Sequence, residues 1–308
     1  MTEEKVVIGE GTEYPLDGIL TLPDNAEEAV PAVVLVHGSG PQDKDEKVGV
    51  ITPFKDIAKA FAEKGIATLR YDKRTKIYGR KMMKTPGEIT VKTETIDDAI
   101  MATEILRSDP RIGKLFIFGH SMGGMLAPRI DAEGGNYDGI IIAAGSPREL
   151  REILVDQFAE LIDNYKGLMK LIASKQITKI LTNLAGIDSL TDEEAKDTKV
   201  IGGTRAYYFK EFEAHPTGPY LEILDKPIYI FQGDKDFQVN FEKDFEGYKQ
   251  MLPDRSNVTF KLYAGLNHVF TDSHATGSTK DYKVPGTVDA RVTDDLAQWI
   301  WSVDSESN

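Results

Sequence analysis

The sequence predicts an α/β fold with a mostly parallel central sheet flanked by helices. Three observations predict it. Uninterrupted apolar runs at Ala32–Val36 (AVVLV), Gly139–Ala144 (GIIIAA) and Pro227–Gln232 (PIYIFQ) suit strands buried on both faces of a sheet. Segments with helical spacing alternate with strand-like runs over the first half of the chain, the mark of βαβ crossovers. The chain has 308 residues, long enough to cover both faces of such a sheet.

Taken in order, Val6–Ile8 and Gly18–Leu22 read as short strands separated by turn residues, and Ala32–Val36 follows as a buried strand ending at His37-Gly38. Phe54–Lys64 is helical, with Phe54, Ile57, Ala58 and Phe61 on one face, and Gly65 stops it. Ile66–Tyr71 is the next strand, and Thr95–Leu106 the next helix, through Ile96, Ala99, Ile100 and Ile105. Leu115–Phe118 is a strand running straight into Gly119-His120-Ser121-Met122-Gly123, with a helix forming over Met125–Ile130. Gly139–Ala144 is another buried strand.

The rhythm then breaks. From Arg148 to about Pro219 the chain carries long amphipathic helical stretches and no strand candidate, with a capping box (Thr191 and Glu194) opening a short helix. Pro227–Gln232 resumes the alternation, Val258–Tyr263 is the last strand, and Leu296–Trp301 closes with a helix. The expected division is therefore a core in two parts, 1–147 and 220–308, interrupted by a helical cap or lid at 148–219. Apolar stripes on the cap helices could face the core or a second copy, which leaves a homodimer open.

Composition excludes several functions. With no cysteine there is no disulfide framework, no thiolate zinc site and no cysteine nucleophile. A formal charge of −13, from 37 basic against 50 acidic residues, without a Lys/Arg-rich run argues against nucleic acid and anionic membrane surfaces. No stretch approaches the roughly 20 apolar residues of a membrane span. The start, Met1-Thr2-Glu3-Glu4-Lys5, lacks the basic and apolar regions of a signal peptide, so a cytoplasmic protein is expected.

Gly119-x-Ser121-x-Gly123 fits the G-x-S-x-G pattern of a nucleophile elbow. Flanking glycines let a sharp strand-to-helix turn close and expose the central serine oxygen, and here a strand precedes and a helix follows. A serine needs a base to take its proton and a carboxylate to orient that base. Of five histidines, His37 and His120 adjoin other motif elements and His215 lies in the insertion. His268, directly after the last strand, is the preferred base, with His274 in a polar loop as the competitor. For the carboxylate, Asp234 and Asp236 compete after the PIYIFQ strand, an Asp beside Gly233 being the more natural turn residue. The chain order Ser, Asp, His suits either. Two backbone N–H groups should meet the developing oxyanion: that of Met122, after the nucleophile, and that of Ser39 in the loop His37-Gly38-Ser39-Gly40-Pro41.

HGSGPQDKDE (His37–Glu46), RYDKRT (Arg70–Thr75), GHSMGGMLAPRI (Gly119–Ile130), QGDKDFQV (Gln232–Val239) and GLNHVF (Gly265–Phe270) together resemble bacterial carboxylesterases of the α/β-hydrolase superfamily. The group is the EstD-type esterases, related to dienelactone hydrolases. The similarity runs from Leu16 to Trp299 and is weakest over the insertion. It implies an α/β-hydrolase fold, Ser121 as nucleophile, His268 as base and Asp236 as acid, with Ser39 and Met122 shaping the oxyanion hole. It implies a small-molecule ester substrate and calls for no cofactor. Dienelactone hydrolase itself uses a cysteine; here serine must carry the reaction.

The expected activity is hydrolysis of small, short-acyl carboxylic esters through an acyl-enzyme. Two rivals stand beside it: a peptidase or amidase of the prolyl-oligopeptidase type, which shares fold and triad, and a noncatalytic ligand-binding protein on a hydrolase fold. Three further stretches invite a functional reading. Asp43, Asp45 and Glu46 lack the glycine and distal Glu of a calcium loop, so a hydrogen-bonded loop is favoured and no metal is expected. Arg70, Asp72, Lys73 and Arg74 suit either a substrate carboxylate or internal ion pairs. Tyr207, Tyr208, Phe209 and Phe212 are candidates for a substrate pocket beneath the cap, against plain helix packing.

Overall fold

A computed structural model describes residues 1–24, 28–163, 166–273 and 278–305. In chain order its elements are β1 (Thr2–Ile8), β2 (Leu16–Leu22), β3 (Val30–Val36), α1 (Pro53–Glu63), β4 (Ala67–Tyr71), α2 (Arg74–Met82), α3 (Asp97–Ser108), β5 (Ile112–His120), α4 (Met122–Ile130) and β6 (Gly139–Ala143). There follow α5 (Leu150–Asp163), α6 (Gly167–Ala185), α7 (Asp192–Asp197), β7 (Lys199–Ile201), β8 (Thr204–Arg205), α8 (Ala206–Glu213) and α9 (Thr217–Glu222). The chain then completes β9 (Ile228–Gly233), α10 (Phe245–Met251), β10 (Val258–Tyr263) and α11 (Ala290–Ser305).

Eight strands form one sheet in the order β1-β2-β4-β3-β5-β6-β9-β10. β2 runs antiparallel to both β1 and β4, and every pairing from β4 onward is parallel. Strand parity divides the core in two. Val34 of β3, Ile117 of β5, Ile142 of β6 and Ile230 of β9 face the side covered by α3 and α4. Their neighbours Val33, Phe116, Ile141 and Phe231 face α1 and α11. Two buried faces leave no position for a polar residue, which is why these strands read as continuous apolar runs.

Two elements depart from the sequence reading. The stretch 148–219 contains a two-stranded antiparallel hairpin, β7-β8, turning through Gly202-Gly203, where no strand was expected. Two and three residues are too short to write a period-2 pattern. α2 was also unexpected: RTKIYGRKM buries only Met82, so no apolar stripe announces it. The Thr191–Glu194 capping box forms as read, with both reciprocal bonds present.

Leu150, Ile153, Leu184, Tyr208, Phe209 and Phe212 from this stretch join the same cluster as Met122 and Met125 of α4, so its apolar side continues the core. On α6, Leu168, Met169, Leu171 and Ile172 are exposed instead. No helix among the described residues is long and apolar enough to cross a membrane.

Candidate active site

The parallel strands deliver their C-terminal ends to one edge of the sheet, where β5 passes into α4 through Ser121. Ser121 has φ 53° and ψ −117°, a conformation L-residues rarely adopt. Its N–H donates to the Ala143 carbonyl at 2.8 Å, and its carbonyl accepts from Gly124 N–H at 2.9 Å, so the strained residue is held on both sides. The turn needs its glycines for space. A methyl group on Gly119 would run into the Gly123 carbonyl, and one on Gly123 would come within 2.7 Å of the His37 carbonyl.

His268 sits on the loop after β10, braced by Asn267. The Asn267 amide oxygen accepts from the N–H groups of Val269 (3.1 Å) and Thr271 (3.2 Å). His268 Nδ1 lies 2.7 Å from Asp236 Oδ2. The other Asp236 oxygen accepts the N–H groups of Gln238 (2.8 Å) and Val239 (2.9 Å). Asp234 does something else: it accepts Gly265 N–H at 2.7 Å and shapes the turn. Geometry thus separates the two acids that the residue pattern left competing. The alternative base, His274, lies outside the described residues.

The loop after β3 carries one of the two expected oxyanion donors, Ser39 N–H. No protein acceptor among the described residues meets Ser39 N–H. Met122 opens α4, so its N–H has no partner within the helix. Around this loop the structure buries charged groups, of which the residue pattern singles out Glu46 and Lys73 but not Glu94. Glu46 accepts Gly38 N–H at 2.7 Å and pairs with His120 Nδ1 at 3.0 Å, as an ion pair rather than an aligned hydrogen bond. Lys73 donates to the Gly38 carbonyl at 2.9 Å and lies 3.5 Å from Glu94, which accepts the Tyr208 hydroxyl at 2.6 Å. His37 packs tilted against Phe54 and edge-on against Tyr71, and burial pushes its pKa down to about 4, so it stays neutral.

The two charged stretches resolve into internal contacts. Asp43 Oδ1 accepts the N–H groups of Asp45 and Lys47, each at 3.1 Å, while Asp45 pairs with Arg70 at 3.0 Å. Asp72 pairs with Lys44 at 3.0 Å, and Arg74 with Asp98. Of the alternatives for Arg70–Arg74, ion pairing is the one found.

Above Ser121 lies a cavity of about 330 Å³, bounded by Ser39 and Met122 on one side and by α5, the β7-β8 turn and α8 on the other. Tyr208 and Phe209 line it. Tyr207 and Phe212 are not among its described lining residues: Tyr207 lies under the Lys196 ammonium, and Phe212 is buried in the core. Four aromatics within six helical residues present only part of themselves to one side. Glu94 is the one charged side chain among the described lining residues. It rides on a π turn, Lys92–Ile96, and an acid beside Thr95 and Ile96 at a helix start is the faint signal that could have marked it.

Residues 27–272 match the serine aminopeptidase S33 family of hydrolases. Esterase EstD of Thermotoga maritima is 35% identical over 298 residues, spanning 97% of this chain and 67% of that protein. Est1E from Butyrivibrio proteoclasticus superposes with a TM-score of 0.62 at 16% identity, covering 98% of this chain and 99% of its own. A proline iminopeptidase from Mycobacterium smegmatis gives a TM-score of 0.60 at 14% identity, with both chains fully covered. These last likenesses establish the α/β-hydrolase fold.

Proposed function

From membership of the serine aminopeptidase S33 family, to which this chain belongs, we propose that the protein is a carboxylic ester hydrolase that cleaves small, short-acyl esters through an acyl-enzyme on Ser121. His268, oriented by Asp236 through Nδ1, takes the Ser121 proton at Nε2 as the serine oxygen attacks the ester carbonyl. The amides of Ser39 and Met122 hold the oxyanion. The tetrahedral intermediate collapses, His268 protonates the departing alcohol, and the same histidine then activates the water that frees the acid. In this reading 148–219 is a cap over the core segments 1–147 and 220–308.

One observation carries the choice of ester over peptide. An aminopeptidase must meet the substrate's ammonium with a carboxylate. The single acid on the described cavity wall, Glu94, already holds the Tyr208 hydroxyl and the Lys73 ammonium. The remaining wall is mostly apolar and takes a neutral acyl group. The sequence similarity to EstD, across nearly this whole chain, supports the same conclusion.

Turnover on p-nitrophenyl acetate, butyrate, octanoate and laurate, set beside acetyl p-nitroanilide and an aminoacyl p-nitroanilide, tests the proposal. Efficient cleavage of the short esters with a decline toward laurate is expected. Faster turnover of either anilide would move the protein to the peptidase side, and failure of Ser121 to label with an organophosphonate would favour a noncatalytic binding protein.

A further inference from the structure

Lys73 is 1% exposed, deep beside the nucleophile, although its side chain is the most readily solvated of the basic residues. A buried ammonium is costly unless its hydrogens are taken up. Two groups of the site meet it: the Gly38 carbonyl, which accepts at 2.9 Å, and the Glu94 carboxylate, an ion-pair partner at 3.5 Å. The backbone reinforces this placement, since Lys73 N–H donates to the Gln42 carbonyl at 3.0 Å and Lys44 N–H to Asp72 at 2.8 Å. The loop after β4 therefore clamps the loop after β3 at several points.

We propose that Lys73 is a positioning residue for catalysis: its ammonium fixes the Gly38–Ser39 peptide so that Ser39 N–H faces the oxyanion, and Glu94 with Tyr208 ties that peptide to helix α8. The inference rests on the Ser121 reading given above. A trans peptide is planar, with its C=O and N–H pointing opposite ways. An acceptor held on one side therefore aims the donor on the other. The preceding peptide is fixed as well, because Glu46 holds Gly38 N–H at 2.7 Å.

A charge-assisted bond to the carbonyl does more than aim the peptide. It polarises the unit and strengthens the N–H as a donor. A neutral ester carbonyl gains little from this, whereas an oxyanion gains much, so the effect belongs to the transition state. Glu94 balances the ammonium and leaves the cavity without net charge from the pair. Its acceptance of the Tyr208 hydroxyl at 2.6 Å, with the same hydroxyl 3.4 Å from Met122 Sδ, connects α8 to both oxyanion-hole residues. Placement of α8 over a bound ester is thereby coupled to the aim of Ser39 N–H.

The test compares wild type with Lys73→Met and with the double variant Lys73→Met/Glu94→Gln, which leaves no unpaired charge buried. Three quantities are read: kcat and KM on p-nitrophenyl acetate, the Ki of an alkylboronic acid that forms a tetrahedral adduct on serine, and the Ki of an unreactive amide analogue of the ester. The expected result is a loss of about 10²-fold in kcat with KM changed by less than about threefold, the scale of a lost oxyanion donor. Boronic acid affinity should fall in step with kcat, and amide affinity should hold. Tyr208→Phe should show the same signature at a smaller size.

Unchanged kcat and boronate affinity in a folded double variant would overturn the proposal, as would equal weakening of boronate and amide. A change in KM alone for Tyr208→Phe would overturn the coupling to α8. If wild type binds no boronate and Ser121→Ala keeps its activity, the serine reading fails; if wild type binds boronate and only the Lys73 variants are indifferent, the role of Lys73 fails alone.

Discussion

His120 Nε2 bonds the main-chain carbonyl of His268 at 2.9 Å, with the two imidazole rings 4.7 Å apart. A carbonyl oxygen only accepts, so Nε2 carries a hydrogen, while Nδ1 faces Glu46 at 3.0 Å. Burial opposes a charge on His120, but the Glu46 carboxylate outweighs it and raises the pKa above the ordinary value. Burial likewise opposes the Glu46 charge, and His120 more than reverses it. The residue before the elbow serine therefore holds the backbone of the histidine loop, and its counter-ion holds the loop bearing Ser39. One buried ion pair ties three loops together.

Ser121→Ala should lower turnover of p-nitrophenyl acetate by about 10³-fold or more while leaving the thermal transition near that of wild type. The hydroxyl takes no part in the main-chain bonds that hold the turn, which run through Ser121 N–H and C=O. A loss below about tenfold would remove Ser121 from the reaction.

The two acids after β9 should respond oppositely. Asp236→Asn lets an amide face His268 Nδ1 and upsets the tautomer the serine needs, so kcat should fall by about 10³- to 10⁴-fold. Asp234→Ala removes the acceptor of Gly265 N–H and should cost about 1 kcal/mol of stability with kcat nearly unchanged. Kinetics and thermal melts of the pair decide the matter; the reverse pattern would transfer the role to Asp234.

The contrast between what the residues announce and what they hide has a physical cause. Strands such as β3 and β6 are legible because burial on both faces leaves only apolar positions. Ser121 is legible because the elbow imposes glycines at fixed offsets, and Asp236 and His268 follow strand ends that the apolar runs mark. The residue pattern offers internal ion pairs for Lys73 without naming a partner, and it marks Glu94 only faintly. Their burial arises only when segments distant in sequence close over them. The residue pattern likewise groups Tyr207 with Tyr208, and only the placement of α8 tells which one reaches the cavity.

Gly123→Ala should destabilise the protein by about 3 kcal/mol or more, read as a large fall in the urea midpoint. The added methyl meets the backbone carbonyls of Val36 and His37, which belong to the core strand β3 and its end and cannot yield as a side chain would. Gly40→Ala makes a useful contrast. Its Cβ would meet open space, but φ +80° imposes strain, so a milder loss is expected.

Phe209→Ala should shift chain-length preference. Phe209 lines the cavity and is 4% exposed, so truncation enlarges a space of about 330 Å³ from the α8 side. Octanoate should gain relative to acetate in kcat/KM by about tenfold, the worth of one or two methylenes newly accommodated. An unchanged ratio would place the acyl chain elsewhere in the cavity.

The His120–Glu46 pair sets a pH window for stability. His120 has a raised folded pKa, so its stabilisation is fully present below the unfolded value of 6.5 and is lost as pH rises through the folded value. Glu46 has a lowered one, so its share is present above 4.5 and is lost as pH falls through the folded value. The Tm difference between wild type and His120→Asn should therefore peak between those two limits and shrink on both sides. At its peak the variant should lose about 3 kcal/mol, because removal of one partner leaves the Glu46 charge buried alone. His120→Asn combined with Glu46→Gln should recover much of that loss and flatten the pH dependence. A Tm difference that grows steadily above neutrality would mean that His120 is buried neutral, and the three loops would then be joined by hydrogen bonds without the ion pair.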